Sequence, residues 1–192
     1  GVDEPDLMKL DERYVYVVTG AKELLILDAG DPQSTTEASR TSLEGTPSRL
    51  LVSGNRALVI ASTASAPYRP CTYAYSCAFQ GDGYATLLTV FDISDRNQPT
   101  AIRRIELSSS FLGARMIDSQ VHVVTSQIFG EPVLTVPYPT VGAGASATAT
   151  LAALQASYDA ERTRLQSAPV AVTLPTLSDQ VPSGDAWIDG VT

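Results

Sequence analysis

Lys9-Leu10-Asp11-Glu12-Arg13-Tyr14-Val15-Tyr16-Val17-Val18-Thr19 is written three times in this chain. It returns as Leu51-Val52-Ser53-Gly54-Asn55-Arg56-Ala57-Leu58-Val59-Ile60-Ala61 and again as Arg115-Met116-Ile117-Asp118-Ser119-Gln120-Val121-His122-Val123-Val124-Thr125. Each copy is a short apolar strand, a polar turn and a strand of alternating β-branched residues. Alternation puts every second side chain on one face, so each copy reads as a hairpin with a face to bury. The copies begin 42 and then 64 residues apart.

The punctuation around the copies repeats as well. The first unit predicts strands near residues 6–10, 13–19 and 23–28, with a weaker fourth over 36–43. The second predicts strands over 48–52, 56–62, 86–93 and 100–107. Val90-Phe91-Asp92-Ile93 in the second unit matches Ile26-Leu27-Asp28-Ala29 in the first, and both are followed by an Asp and a Pro. An aspartate at a strand end accepts backbone N–H bonds and starts the next turn. The longer second spacing is explained by an insertion over residues 63–85, between the second and third strands of its unit. A four-stranded antiparallel unit returning at roughly forty residues is the signature of a β-propeller blade.

A third unit begins with strands over 112–117 and 121–126, and residues 132–136 are a candidate third strand. Residues 141–150 have a Gly, Ala, Ser and Thr linker composition. A helix is expected over 150–166, with Leu151, Leu154, Tyr158 and Leu165 sharing a face, Thr148 or Thr150 as cap and Pro169 as stop. Residues 168–177 can resume as an edge strand, and the tail with Trp187 can open a further blade. The expected fold is therefore all-β, about three four-stranded antiparallel propeller units with one late α-helix. Its blades span 1–45, 46–109 and, incompletely, 110–139, and the linker, helix and tail occupy 140–192.

The 192 residues are 44% hydrophobic, ample for a core, and carry a formal net charge of −8. That acidity argues against nucleic acid or an anionic membrane surface as partner, since both need a basic face. Cys71 and Cys77, with five residues between them, can close a small disulfide ring, which needs an oxidising compartment. Two free thiols are the other reading. Low lysine, abundant Ser and Thr and this pair favour an extracytoplasmic protein. With His122 as the one further soft ligand, no four-ligand zinc set can be assembled.

Asp3, Glu4 and Asp6 precede an innermost strand and fall at the rim of a central channel. Oxygen clusters of this kind can hold calcium. The preferred reading is structural, a turn cap or an ion pair with Arg115. Asp92-Ile93-Ser94-Asp95-Arg96-Asn97 lacks the glycine and terminal Glu of a calcium loop and reads as a turn. His122 holds the position of Tyr16 and is assigned to strand packing. No nucleophile elbow, phosphate loop or dinucleotide fingerprint is present. The insertion gathers Tyr68, Tyr73, Tyr75, Phe79 and Tyr84 around the cysteine ring, in a chain only 7% aromatic. Aromatics on such a loop suit recognition of a protein or a sugar, or else they pack down over the blade edge.

Gly1-Val2-Asp3-Glu4-Pro5-Asp6-Leu7-Met8-Lys9 running into Asp11–Tyr16, Thr89–Asp95 with Pro99, and Ser110 through Arg115–Asp118 with Val121–Thr125 together resemble one family. Its members are secreted bacterial and archaeal proteins with a C-terminal β-propeller domain, distantly related to WD40 repeats. The likeness covers most of residues 1–126 and thins over 140–192. It implies a propeller fold and export, often with a membrane anchor outside this chain, and it implies no activity. The family's domain is longer than this chain. A closed ring needs at least four blades, so a fragment is expected, or a member whose open sheet edges pair with another copy. The function expected is a non-catalytic extracellular or cell-surface module engaging a protein or glycan. The alternative is a hydrolase or lyase using channel-lining carboxylates.

Overall fold

The computed structural model describes residues 1–31, 33–63, 81–127, 142, 144–167 and 175–190. These fall into two units, Gly1–Ile128 with Pro175–Thr192, and Phe129–Leu174. The first unit is all β and forms three antiparallel sheets.

The first sheet is a four-stranded meander of β2 (Met8–Leu10), β3 (Tyr14–Thr19), β4 (Glu23–Asp28) and β5 (Thr36–Ser42), in that order. The second carries β6 (Thr46–Ser53), β7 (Arg56–Thr63), β8 (Ala85–Asp92) and β9 (Thr100–Leu107) in the same arrangement. Equivalence reaches individual bonds. Ala29 N donates to Arg13 O at 2.8 Å, and Ile93 N to Asn55 O at 3.0 Å. Asp28 accepts from Gly30 N at 3.1 Å and Asp92 from Ser94 N at 2.8 Å, each starting the turn out of its sheet's third strand. Asp31 and Asp95 then cap the next turn, accepting from Gln33 N at 3.0 Å and Asn97 N at 2.9 Å. Asp92 and Asp95 are therefore turn formers, as their spacing predicts.

The third sheet pairs β10 (Ser110–Ile117) with β11 (Gln120–Ser126) and, on the other side of β10, with β1 (Val2–Asp3). The tail differs from expectation. β12 (Leu177–Ser183) pairs with β9 from Leu177 opposite Leu107 to Gln180 opposite Arg104, and β13 (Ala186–Asp189) pairs with β12. This hairpin extends the second sheet to six strands instead of opening a sheet of its own. The outer strand β9 offers unpaired backbone groups, and the Arg103–Asp179 pair at 2.6 Å holds the hairpin in register. The candidate strands over 132–136 and 168–174 lie outside the described residues.

The main core is a seam between two sheets. Tyr16, Val18, Leu24 and Ile26 of the first pack with Leu50, Ala57, Val59, Phe91 and Ile93 of the second. Tyr16 pairs with Ile26 and Val18 with Leu24 in register, so strand alternation delivers all four to one face. Fully burying each large apolar side chain contributes about 1.5–3 kcal/mol. His122 has the place on β11 that Tyr16 has on β3, each opposite the innermost strand's Arg115 or Lys9. The packing role expected for it is not observed: His122 is exposed and Val124 is 59% exposed, because no sheet among the described residues covers that face.

In the second unit, α1 (Ala147–Ser167) begins three residues before the expected helix. Its cap is Ser146, whose Oγ accepts from Ala149 N at 3.2 Å, in place of Thr148 or Thr150. Leu151 and Tyr158 are exposed, and the half-buried stripe is Ala153, Leu154 and Ser157, continued by buried Glu161. Glu161 is held by Arg164 at 2.5 Å, and that pairing keeps its carboxyl below the usual glutamate range. Among the described residues no helix is long and apolar enough to cross a membrane.

Candidate functional site

The insertion leaves the second sheet after Thr63 and the chain rejoins it at Ala85, with residues 81–84 described ahead of that strand. Tyr68, Tyr73, Tyr75, Phe79, Cys71 and Cys77 lie outside the described residues. Tyr84 is described, and it lines a cleft of about 390 Å³ at the foot of the insertion. The other described lining residues are Thr46 and Ser48 of β6, Ser62 and Thr63 of β7, and Asp82. Thr46 and Ser48 are among the first residues of β6, and Ser62 and Thr63 end β7, so hydroxyls gather at this end of the sheet.

The foot is firmly built. Gly81 and Gly83 hold φ of +72° and +80°, the left-handed region that glycine adopts without a Cβ penalty. At Gly81 a Cβ would stand 2.6 Å from Ser110 Cβ and 2.8 Å from Phe111 O, so the loop lies directly against β10. Ser110 Oγ donates to Tyr84 O at 2.9 Å, and Thr86 Oγ1 donates to Ser109 O at 2.7 Å. Asp82 accepts from Tyr84 N at 2.9 Å through one oxygen and from the Ser62 hydroxyl through the other. The carboxylate thus orients both a loop amide and a lining hydroxyl, while Asp82 itself remains exposed. Hydroxyls, one carboxylate and one aromatic ring on a rigid frame can exchange hydrogen bonds with a polyhydroxylated or peptide ligand. The sequence reading reached Tyr84 but missed Asp82, Ser62, Ser48 and Thr46. The Gly81-Asp82-Gly83 turn was the available signal.

The acidic opening divides among separate partners. Asp3 accepts from Lys9 Nζ at 2.7 Å, and Lys9 also donates to Glu4 O. Glu4 pairs with Arg115 at 2.8 Å, the structural pairing anticipated for this segment. Asp6 accepts from Leu7 N at 2.7 Å. Among the described residues no group of three or more His, Cys, Asp and Glu is placed to hold a metal ion.

A second polar cluster, unforeseen in sequence, ties the first two sheets together. Arg96, in the loop between β8 and β9, donates through Nε to Tyr16 OH at 3.1 Å. It also donates to Asn55 Oδ1 at 2.7 Å and Gly54 O at 3.0 Å, and its guanidinium lies 5.6 Å from the Tyr14 ring centre. Tyr16 OH in turn donates to Asp11 Oδ2 at 2.6 Å. Burial, then the bond to Asp11, push the Tyr16 phenol up to about 12, against the opposing pull of Arg96. Burial works to raise the Asp11 carboxyl, but bonds from Tyr16, Tyr14 N and Arg13 N and the Arg96 charge outweigh it, leaving Asp11 below the usual range. The cluster satisfies its own members and acts as a latch.

A family model described as a beta propeller domain matches residues 1–187. Comparison with curated proteins finds no match, and comparison with solved structures finds none either.

Proposed function

The chain belongs to the beta propeller domain family, and we propose that it is a non-catalytic binding and scaffold module that engages a glycan or a protein segment at the foot of its insertion. The observation carrying this reading is the cleft of about 390 Å³ lined by Thr46, Ser48, Ser62, Thr63, Asp82 and Tyr84. Strong, pre-set backbone support lowers the cost of ordering a site on binding. Tyr68, Tyr73, Tyr75 and Phe79 belong to the same insertion and, in this reading, supply further apolar contact. The proposed setting is the cell surface or extracellular space, supported by the Cys71/Cys77 pair, low lysine and abundant Ser and Thr.

Immobilised neutral glycans and a secretome protein array, probed with the whole chain, test this directly. Binding is expected, and Tyr84→Ala is expected to weaken it about tenfold or more, the usual scale for a central aromatic contact, with melting unchanged. Absence of any ligand that depends on Tyr84 sinks the reading. So does hydrolytic or eliminative turnover of a glycan that disappears when Asp3, Glu4 and Asp6 are replaced together, which would establish the enzyme alternative.

A further inference from the structure

The cleft at the foot of the insertion has a lopsided hydrogen-bonding lining. Ser62 of β7 donates its hydroxyl proton to Asp82, and Ser48 of β6 donates its own to Ile60 O at 3.3 Å. A hydroxyl carries one proton and two lone pairs, so both oxygens have only lone pairs left to offer a ligand. The Asp82 carboxylate lines the same cleft, is exposed, and adds further acceptor capacity. Thr46 and Tyr84 are left to donate. Acceptors therefore prevail over donors in this lining.

The charge is uneven as well. Asp82 is the one charged residue among the described lining residues, and its partners there, Tyr84 N and the Ser62 hydroxyl, are neutral. Arg49, the next residue along β6, turns to Ser48 O at 2.7 Å and does not line the cleft. An ammonium group has three donors and no acceptor, the complement of such a lining. An anion would meet Asp82 uncompensated. A peptide segment brings a carbonyl with every amide, and each carbonyl asks for a donor, whereas a sugar hydroxyl rotates to donate. Resting on the binding-module reading, we propose that the cleft takes a glycan with a free amine on one sugar unit. Its ammonium meets Asp82, Ser62 and Ser48, and its C–H face meets the Tyr84 ring. N-acetylation of that amine removes the charge and adds a carbonyl acceptor, so it opposes binding in two ways.

The test measures binding of the whole chain to soluble oligomers of glucosamine, N-acetylglucosamine and glucose, matched in length, in mildly acidic buffer that protonates the amine. The glucosamine oligomer is expected to bind about fivefold tighter than either neutral one, the scale of a single exposed charged contact. Asp82→Asn keeps the side chain's size and an acceptor for Tyr84 N, and is expected to erase the preference. Asp185→Asn removes the same charge from the exposed turn between β12 and β13, and is expected to keep it. Failure of the glucosamine oligomer to bind overturns the proposal. So do equal affinities, and so does a preference that survives Asp82→Asn or vanishes with Asp185→Asn. Equal affinities that all fall with Tyr84→Ala would remove the amine assignment alone and leave the binding-module reading standing. If Asp82→Asn does not fold, carbodiimide coupling of the glucosamine oligomer to the native chain replaces it. The amide is expected mainly at Asp82, and coupling no greater there than at Asp185 counts against the site.

Discussion

The Tyr16 hydroxyl sits on a fully buried side chain and connects two sheets, donating to Asp11 and accepting from Arg96. Its phenol titrates near 12 in the folded chain against 10.0 for an unperturbed tyrosine. The folded state holds this proton more tightly, so the associated stability is complete below about pH 10 and is lost as pH rises toward 12. Two pKa units correspond to something on the order of 2–3 kcal/mol. Urea midpoints measured between pH 8 and 12 should therefore fall steeply, and Tyr16→Phe should flatten that fall while costing about 1–2 kcal/mol near neutrality for the lost hydrogen bonds. An equally steep alkaline loss in Tyr16→Phe would assign it elsewhere. The burial of Tyr16 was legible from strand alternation. Its partner Arg96 was not, because a residue 80 positions away enters the cluster through packing of one sheet on another, which local periodicity does not encode.

At the scale of elements, strand positions were the most legible feature: β4 and β9 occupy the predicted residues, since short Leu- and Ile-bearing runs bounded by turn residues such as Gly20, Asp28 and Pro99 leave little latitude. The helix face was less legible. α1 contains enough alanine to propagate without a continuous apolar stripe, so Leu151 and Tyr158 mark no buried face, and three nearby hydroxyl residues offered competing caps. Turn glycines divide into two kinds that sequence does not separate. Gly54 holds φ +55° with open space around it, whereas Gly81 holds φ +72° against Ser110 and Phe111. Gly54→Ala should cost about 1 kcal/mol from backbone strain alone. Gly81→Ala should cost about 2 kcal/mol or more, because the loop must also lift from β10, and should weaken ligand capture at the cleft. Equal losses in chemical denaturation would show that the close approach at Gly81 is not a constraint.

In the molecule as a whole, cohesion is concentrated in the seam between the first and second sheets. Ile26→Ala, inside that seam, should cost about 2–5 kcal/mol, while Val124→Ala, on the uncovered face of the third sheet, should change stability by less than about 0.5 kcal/mol. Comparable losses would mean that the third sheet's face is covered in solution. The repeat made the number and register of the sheets readable, yet it gave no sign that the tail hairpin would return to the second sheet. That pairing depends on β9 having an open edge, and only the assembled topology reveals one.

The short strand β1 places the chain's first residues opposite nearly its last repeat, Val2 beside Ile117 and Asp3 beside Met116. Asp6 meanwhile exchanges two backbone bonds with Leu50, at 3.1 Å and 2.7 Å. On a ribosome these events are well separated in time. The first two sheets can close on each other and fasten residue 6 while the segment before it still waits for β10 to be made. Contacts so distant in sequence form slowly, since a large loop must close before they yield anything. The order of assembly is therefore written into where β1 goes: Val2 and Asp3 are synthesised before the first two sheets and find their partners only after both.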